Sequence, residues 1–186
     1  MKRGWKWTLL CLALALLLSG CGGSNSLSGV WTAKADGSDI VLAFVDDLCF
    51  MAIDQSDIEY SSYTFSKKDN ILVTDLGNMP VALIGNSLTL TYDETPIVFV
   101  KDTKTAKAPA SISGVWKGPT PWIFAFVNEK VFIVDRDKDP DYGTYTFSGD
   151  SGSFETERYG WEIKFTVKGN TLTTTNDLKE TFTRTK

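Results

Sequence analysis

No histidine occurs anywhere in the 186 residues. Without imidazole the chain lacks the usual general base near neutral pH, the commonest metal ligand, and the base that a Ser or Cys nucleophile needs. Most hydrolytic mechanisms are thereby excluded. Basic side chains are in the minority, 19 Lys and Arg against 23 Asp and Glu, and they form no block. A chain without a basic footprint releases no counterions from DNA or RNA, so no nucleic-acid partner is expected. Cysteine is scarce, at 3 residues. No apolar run reaches the roughly 18 residues that would mark a membrane-spanning helix.

The longest apolar run stands at the start. Lys2, Arg3 and Lys6 precede Leu9 to Leu18, a stretch of 10 residues. A basic start followed by a short apolar core reads as a secretion signal, and residues 1–20 are assigned to it. The run closes in Leu18-Ser19-Gly20-Cys21, which resembles the lipobox of bacterial lipoproteins. That resemblance implies cleavage before Cys21, a covalent lipid (palmitate among its acyl chains) on Cys21, and a site in the bacterial cell envelope, exposed outside the cytoplasm. Small side chains at Ser19 and Gly20 let the chain lie extended in a peptidase groove, and a thiolate is the nucleophile that takes up the diacylglyceryl group. Residues 21–26 combine the lipidated Cys21 with the flexible tether Gly22 to Ser26.

Removing residues 1–20 leaves 166 residues with 16 basic and 23 acidic side chains, a net of -7. Cys49 is then alone beside Cys21, and no intrachain disulfide is expected. In the run Leu48-Cys49-Phe50-Met51-Ala52-Ile53 it suits a strand interior as a small apolar thiol. No neighbouring cation in sequence favours its thiolate.

The rest of the chain repeats itself. Leu27-Ser28-Gly29-Val30-Trp31 returns as Ile112-Ser113-Gly114-Val115-Trp116 at a shift of 85. Ala43-Phe44-Val45 and Tyr63-Thr64-Phe65-Ser66 return at a shift of 82, and Gly85-Asn86-Ser87-Leu88-Thr89 at 84. Four matches in one order with little drift mean duplication. Residues 27–101 and 112–186 are the two units, with a Lys-, Thr- and Ala-rich linker at 102–111.

Within each unit the apolar period is two: Trp161, Ile163, Phe165 and Val167 alternate with Glu162, Lys164, Thr166 and Lys168. The pattern predicts strands near 29–34, 39–45, 48–54, 58–66, 69–75, 79–84, 87–92 and 96–101. The second unit gives 114–117, 121–127, 130–136, 142–148, 152–158, 161–167, 171–175 and 180–185. Asp46-Asp47, Asn128-Glu129, Gly85-Asn86 and Gly169-Asn170 read as tight turns. Eight short strands per unit leave exposed edges unless the sheet closes. The expected fold class is all-β: two tandem small antiparallel up-and-down β-barrels, each folding separately. The Gly-x-Trp on each first strand, with a cation on the last, is similar to the lipocalins, and closest to short lipocalin-like repeats of bacterial lipoproteins. The motif residues are Gly29, Trp31 and Lys101, then Gly114, Trp116 and Arg184. The resemblance implies that the Trp plugs the barrel floor and the cation stacks on it.

Chemistry has few footholds. Asp135, Asp137, Asp139 and Asp141 place carboxylates at every second residue, which resembles the start of a calcium loop. Pro140 stands where such loops turn on Gly, and Thr146 occupies the closing position, so a solvated hairpin tip is the competing reading. The first unit offers only Asp54, Asp57 and Glu59 there. Apart from calcium and the lipid on Cys21, no cofactor is expected. Glu155 and Glu157, two apart on a strand, share a face rather than flank a cleft, which argues against a glycosidase pair. Phe44, Phe50, Phe65, Phe124, Phe126, Phe132, Phe147 and Phe165 put several bulky rings inside the barrels, so filled interiors are expected.

The expected function is a non-catalytic cell-envelope lipoprotein, a binding or interaction module whose outer surface meets an envelope protein or glycan. The alternative is a lipocalin-like carrier of a small apolar ligand inside the barrel. Residues 27–104 hold 12 acids and 5 bases, whereas residues 105–186 hold 11 of each. Repulsion from anionic headgroups would hold the first barrel off the membrane, leaving Trp122, Tyr142, Tyr159 and Trp161 of the second as partner contacts.

Replacing Cys21 with Ser should move the protein from the membrane to the soluble fraction, or leave it unprocessed. Membrane fractionation at the mature size despite the substitution would remove the anchor.

Overall fold

Alternation of apolar and polar side chains sends every second residue of a strand to one face, and a sheet whose inner face is apolar must cover it. Here the sheet covers itself. The computed structural model describes residues 26–54, 57–92, 94–119, 122–135, 140–176 and 178–185. Residues 1–20 and Cys21 lie outside the described residues. The first unit comprises β1 (Gly29–Ala35), β2 (Ser38–Val45), β3 (Leu48–Ile53), β4 (Asp57–Ser66), β5 (Ile71–Thr74), β6 (Gly77–Ile84), β7 (Ser87–Tyr92) and β8 (Thr95–Lys101). The second comprises β9 (Gly114–Lys117), β10 (Ile123–Val127), β11 (Lys130–Val134), β12 (Pro140–Ser148), β13 (Ser151–Thr156), β14 (Glu162–Lys168), β15 (Thr171–Thr174) and β16 (Thr181–Arg184). Each set closes into an eight-stranded antiparallel barrel, and the described residues contain no helix.

Sequence neighbours pair throughout, and the seams β1–β8 and β9–β16 complete the rings. In this up-and-down order Gly29, the Asp46-Asp47 and Gly85-Asn86 turns and Lys101 all fall at one end, the floor. The turns at 36–37 and 75–76, and Glu94, fall at the other, the mouth. Asp46 and Asn128 take φ of 52° and 50°, and Gly85 and Gly169 take 58° and 60°, the left-handed geometry that short hairpin turns require.

The two barrels match at every seam but one. Tyr63 on β4 pairs with Thr74 on β5, whereas its counterpart Tyr145 pairs with Phe154, two residues out of step. Followed round all eight seams, the registers give a stagger of 12 residues in the first barrel and 10 in the second. For equal strand number a larger stagger tilts the strands more and widens the barrel, here by roughly a tenth in radius.

The cause is local. The β12–β13 hairpin turns on Gly149-Asp150 alone, whereas β4–β5 uses the longer Lys67-Lys68-Asp69-Asn70. Gly143 then lets β12 pair with the full length of β13, because a Cβ there would run into the Glu155 carbonyl oxygen. The first barrel has Ser61 at that place, and its ladder begins only at Tyr63.

Outward apolar residues of β1–β4 and β9–β12 form a shared core between the barrels: Val30, Ala43, Val45, Leu48, Phe50, Ala52 and Ile58 against Val115, Ala125, Val127, Phe132, Val134 and Tyr142. Phe50 and Phe132, counterparts at the shift of 82, stack on each other with centroids 4.8 Å apart and planes at 24°. Counterparts that touch mark a local twofold axis, as in an isologous dimer. Each ring also stacks on the tyrosine of its own barrel, Phe50 on Tyr60 and Phe132 on Tyr142. The Asp46 carboxylate accepts the Val115 amide at 2.9 Å, and Asn128 donates to the Thr105 hydroxyl at 3.1 Å.

Because this core is shared, cleavage in the 102–111 linker should leave two protected halves that still elute as one species on size exclusion. Phe132→Ala should cost about 3 to 5 kcal/mol in urea unfolding, the range for truncating a buried ring. A loss below about 1 kcal/mol would mean that the inter-barrel core contributes little.

Candidate functional site

The floor is built the same way twice. Gly29 and Gly114 take φ of 117° and 109°, backbone that a side chain rarely adopts, and so each lets the chain turn into the first strand beneath a tryptophan. Trp31 Nε1 donates to the Leu27 carbonyl at 2.7 Å, and Trp116 Nε1 donates to Ile112 at 2.8 Å. Both indoles are fully buried. Lys101 Nζ sits 5.0 Å over the Trp31 ring, and the Arg184 guanidinium 4.6 Å over that of Trp116. Burial, with Lys107 nearby, holds the Lys101 ammonium below the ordinary lysine value. Arg184 also donates to the Ser111 carbonyl. One end of each barrel is thus sealed.

Above the floor the barrels diverge. In the second, Phe124, Phe126, Phe154, Phe165 and Phe182 fill the interior, with Phe124 stacked on Phe182 at 4.2 Å. The mouth is capped by Trp122, whose ring lies 6.0 Å from that of Trp161, which stacks in turn on Tyr159 at 4.8 Å. A Cβ on Gly152 would collide with the Phe165 ring, so this filling also depends on a missing side chain.

At the matching positions the first barrel carries Leu42 for Phe124, Leu72 for Phe154, Val81 for Phe165, Ile40 for Trp122 and Gly77 for Trp161. Smaller side chains in a wider barrel leave a cavity of about 340 Å³. Its lining includes Ile40, Leu42, Cys49, Met51, Leu72 and Phe99, with Leu76 and Tyr92 at the mouth. This corrects the expectation of two filled barrels, which describes the second alone. The phenylalanine count misled because Phe50 points outward into the inter-barrel core and most remaining rings belong to the second unit.

The cavity also reaches the seam between β4 and β5. Glu59, Tyr60 and Ser61 line one side, with Thr74 and Leu76 on the other. β4 pairs with β3 over Asp57 to Ser62 and with β5 only from Tyr63, so no ladder joins β4 to β5 toward the mouth. A side-chain latch replaces it. The Ser61 hydroxyl donates to the Asp75 carboxylate at 3.0 Å and accepts from the Asp75 amide at 2.9 Å.

Other expected site residues fall elsewhere. Tyr142 is 2% exposed in the inter-barrel core, which corrects its assignment as a partner contact; burial, then Glu157 and Asp141, raise its phenol above the usual value. Trp122 is likewise buried, as the cap of its own barrel, while Tyr159 and Trp161 reach the surface. The Asp141 carboxylate is buried and accepts the amides of Tyr142 at 2.7 Å, Arg158 at 3.2 Å and Tyr159 at 3.3 Å. Its oxygens are committed to backbone, which removes it as a calcium ligand. Asp137 and Asp139 lie outside the described residues. Among the described residues, including Asp135, no group of three acidic or sulfur ligands converges.

Cys49 lines the cavity and carries no disulfide. Burial pushes its thiol up to about 11. Alkylation of Cys49 by iodoacetamide, followed by peptide mass spectrometry, should be slow at pH 8 and accelerate about tenfold per pH unit toward that value, because only the thiolate reacts. A rate already flat between pH 7 and pH 9 would mean an activated thiol.

No protein-family model matches the chain, and no curated protein is similar to it, so the cavity and its lining carry the functional argument.

Proposed function

We propose that this chain is a non-catalytic lipoprotein of the bacterial cell envelope whose first barrel binds a small apolar ligand, the second barrel serving as its rigid support. The observation that carries this reading is the cavity of about 340 Å³ in the first barrel, at the lower end of the size range of small-molecule sites. By liquid density it has the volume of roughly eleven waters, hence room for about a dozen non-hydrogen atoms of an alkyl chain, or somewhat more of a compact aromatic. Its wall is mostly aliphatic and aromatic, with few polar groups toward the mouth, the composition of a binding site. No imidazole is there to activate a hydroxyl, and burial holds the Cys49 thiol up to about 11. A lipid on Cys21 would tether the protein at the floor end, where Leu27 enters the barrel, and leave the mouth facing away from the membrane.

A second reading, docking of an envelope protein, draws on Ile84, Val98 and Val100. These are 58%, 56% and 58% exposed on the outer face of β6 and β8, where the second barrel presents Lys168, Thr181 and Thr183.

Fluorescence of N-phenyl-1-naphthylamine, a neutral apolar reporter, should rise and saturate on titration with the full chain. The double substitution Leu42→Phe and Leu72→Phe, which installs the second barrel's residues, should weaken that binding more than tenfold while the fold is retained. Undiminished binding in the filled variant would sink the cavity as the site.

A further inference from the structure

The charges of the first barrel are sorted by end. At the floor, Asp46, Asp47, Asp69 and Asp102 are balanced by Lys67, Lys68, Lys101 and Lys104. Toward the mouth, the described acidic side chains are Asp36, Asp39, Asp54, Glu59, Asp75 and Glu94, and the one described base is Lys34. Lys34 is already spent on Asp39, at 2.7 Å. The net negative charge of this unit therefore sits around the opening of its cavity. Among the described residues the corresponding end of the other barrel is more nearly balanced: Lys117, Arg158, Lys164 and Lys179 stand against Asp135, Asp141, Glu155, Glu157, Glu162 and Glu180, and Asp141 is buried against backbone amides.

One of the six carboxylates belongs to the cavity itself. Met51 pairs with Glu59 and Cys49 with Ser61, so Glu59 lies on the inward-facing set of β4 and lines the cavity where it nears the open seam. No basic side chain is among the lining residues. Tyr92 lines the same end, whereas the ring of Tyr60 is turned outward onto Phe50. A carboxylate at the exit of an apolar chamber stabilises a cation on the end of an apolar body. The surrounding ring of acids raises the local concentration of such a cation and repels anions.

Resting on the cavity reading above, we infer that the ligand of the first barrel is a cationic amphiphile: a protonated amine on an apolar body of about a dozen non-hydrogen atoms, its body between Leu42, Leu72 and Phe99 and its ammonium group on Glu59. The tail excludes water from the chamber, and the head stays at the rim, where the carboxylate keeps part of its hydration and the ammonium need not be buried. A fatty acid of the same length meets the opposite sign at every one of these carboxylates.

Calorimetric titration of the full chain at about pH 7 with 1-decylamine, 1-decanol and decanoate, three probes sharing one tail, separates head from body. Decylamine should bind about tenfold or more tighter than decanol, and decanoate weakest. Glu59→Gln should lower decylamine affinity about tenfold and leave decanol unchanged, and about 0.5 M NaCl should narrow the gap between amine and alcohol. Decanoate binding as tightly as decylamine would overturn the amine assignment while leaving an apolar site standing. An unchanged ratio of amine to alcohol in Glu59→Gln would overturn Glu59 as the acceptor. Binding of none of the three, together with no response from N-phenyl-1-naphthylamine, would overturn the cavity reading itself.

Discussion

Closing eight strands into a ring obliges every strand to pair on both sides, so the registers of all seams combine into one stagger, and that stagger sets the width of the interior. A slip at a single seam cannot stay local. In this chain the β4–β5 seam differs from β12–β13 by two residues, and the consequence is a wider first barrel with an unladdered seam toward its mouth. The extra length of the Lys67-Lys68-Asp69-Asn70 turn matches the slip, and Ser61 in place of a glycine keeps β4 and β5 from the close approach that Gly143 permits. Backbone geometry at two short stretches thus decides which barrel is open before any question of core composition arises.

Core composition then acts in the same direction. Leu42, Leu72 and Val81 stand where the second barrel has phenylalanine, and Ile40 and Gly77 stand where it has the two tryptophans of its cap. Buried rings of the second barrel stack and pack edge to face at centroid distances of 4.2 to 6.3 Å, which adds to the area they bury. Duplication followed by divergence gives a natural division of labour: one copy keeps full packing and hence stability, while the other gives up packing for a chamber. A lone barrel with an empty interior would lose both the dispersion contacts of a filled core and the cover for its outward apolar face. The shared core around Phe50 and Phe132 offsets the second loss by burying that face of both copies at once.

Much of this was legible in the residue order. Period-two alternation and the turn residues placed sixteen strands, and the repeat divided them into two sets of eight; the observed ends mostly agree within one to three residues. The ends of β5 and β13 are no further off than those of other strands, yet the seam each makes with the preceding strand is where the barrels differ. Expected at 69–75 and 152–158, they run Ile71–Thr74 and Ser151–Thr156, because turns of unequal length sit at either side of them. An alternating pattern reports which face a residue takes but not the register against its neighbour, since a slip of two preserves the face.

What the sequence by itself determined is therefore the class of fold, the number of barrels, the paired floor motifs and the concentration of acidic residues in the first unit. All of these follow from local periodicity, turn chemistry or counting. What only the tertiary structure decided is where the phenylalanines go, how wide each ring closes, and which end of the barrel collects the charge. Phe50 and Phe132 look like interior residues until the second barrel is seen against them, and Glu59 looks like one carboxylate of a hairpin until its strand is placed beside a cavity. Those outcomes depend on contacts between residues far apart in the chain, and the same side-chain period is compatible with a face turned toward a core, toward water or toward a second barrel.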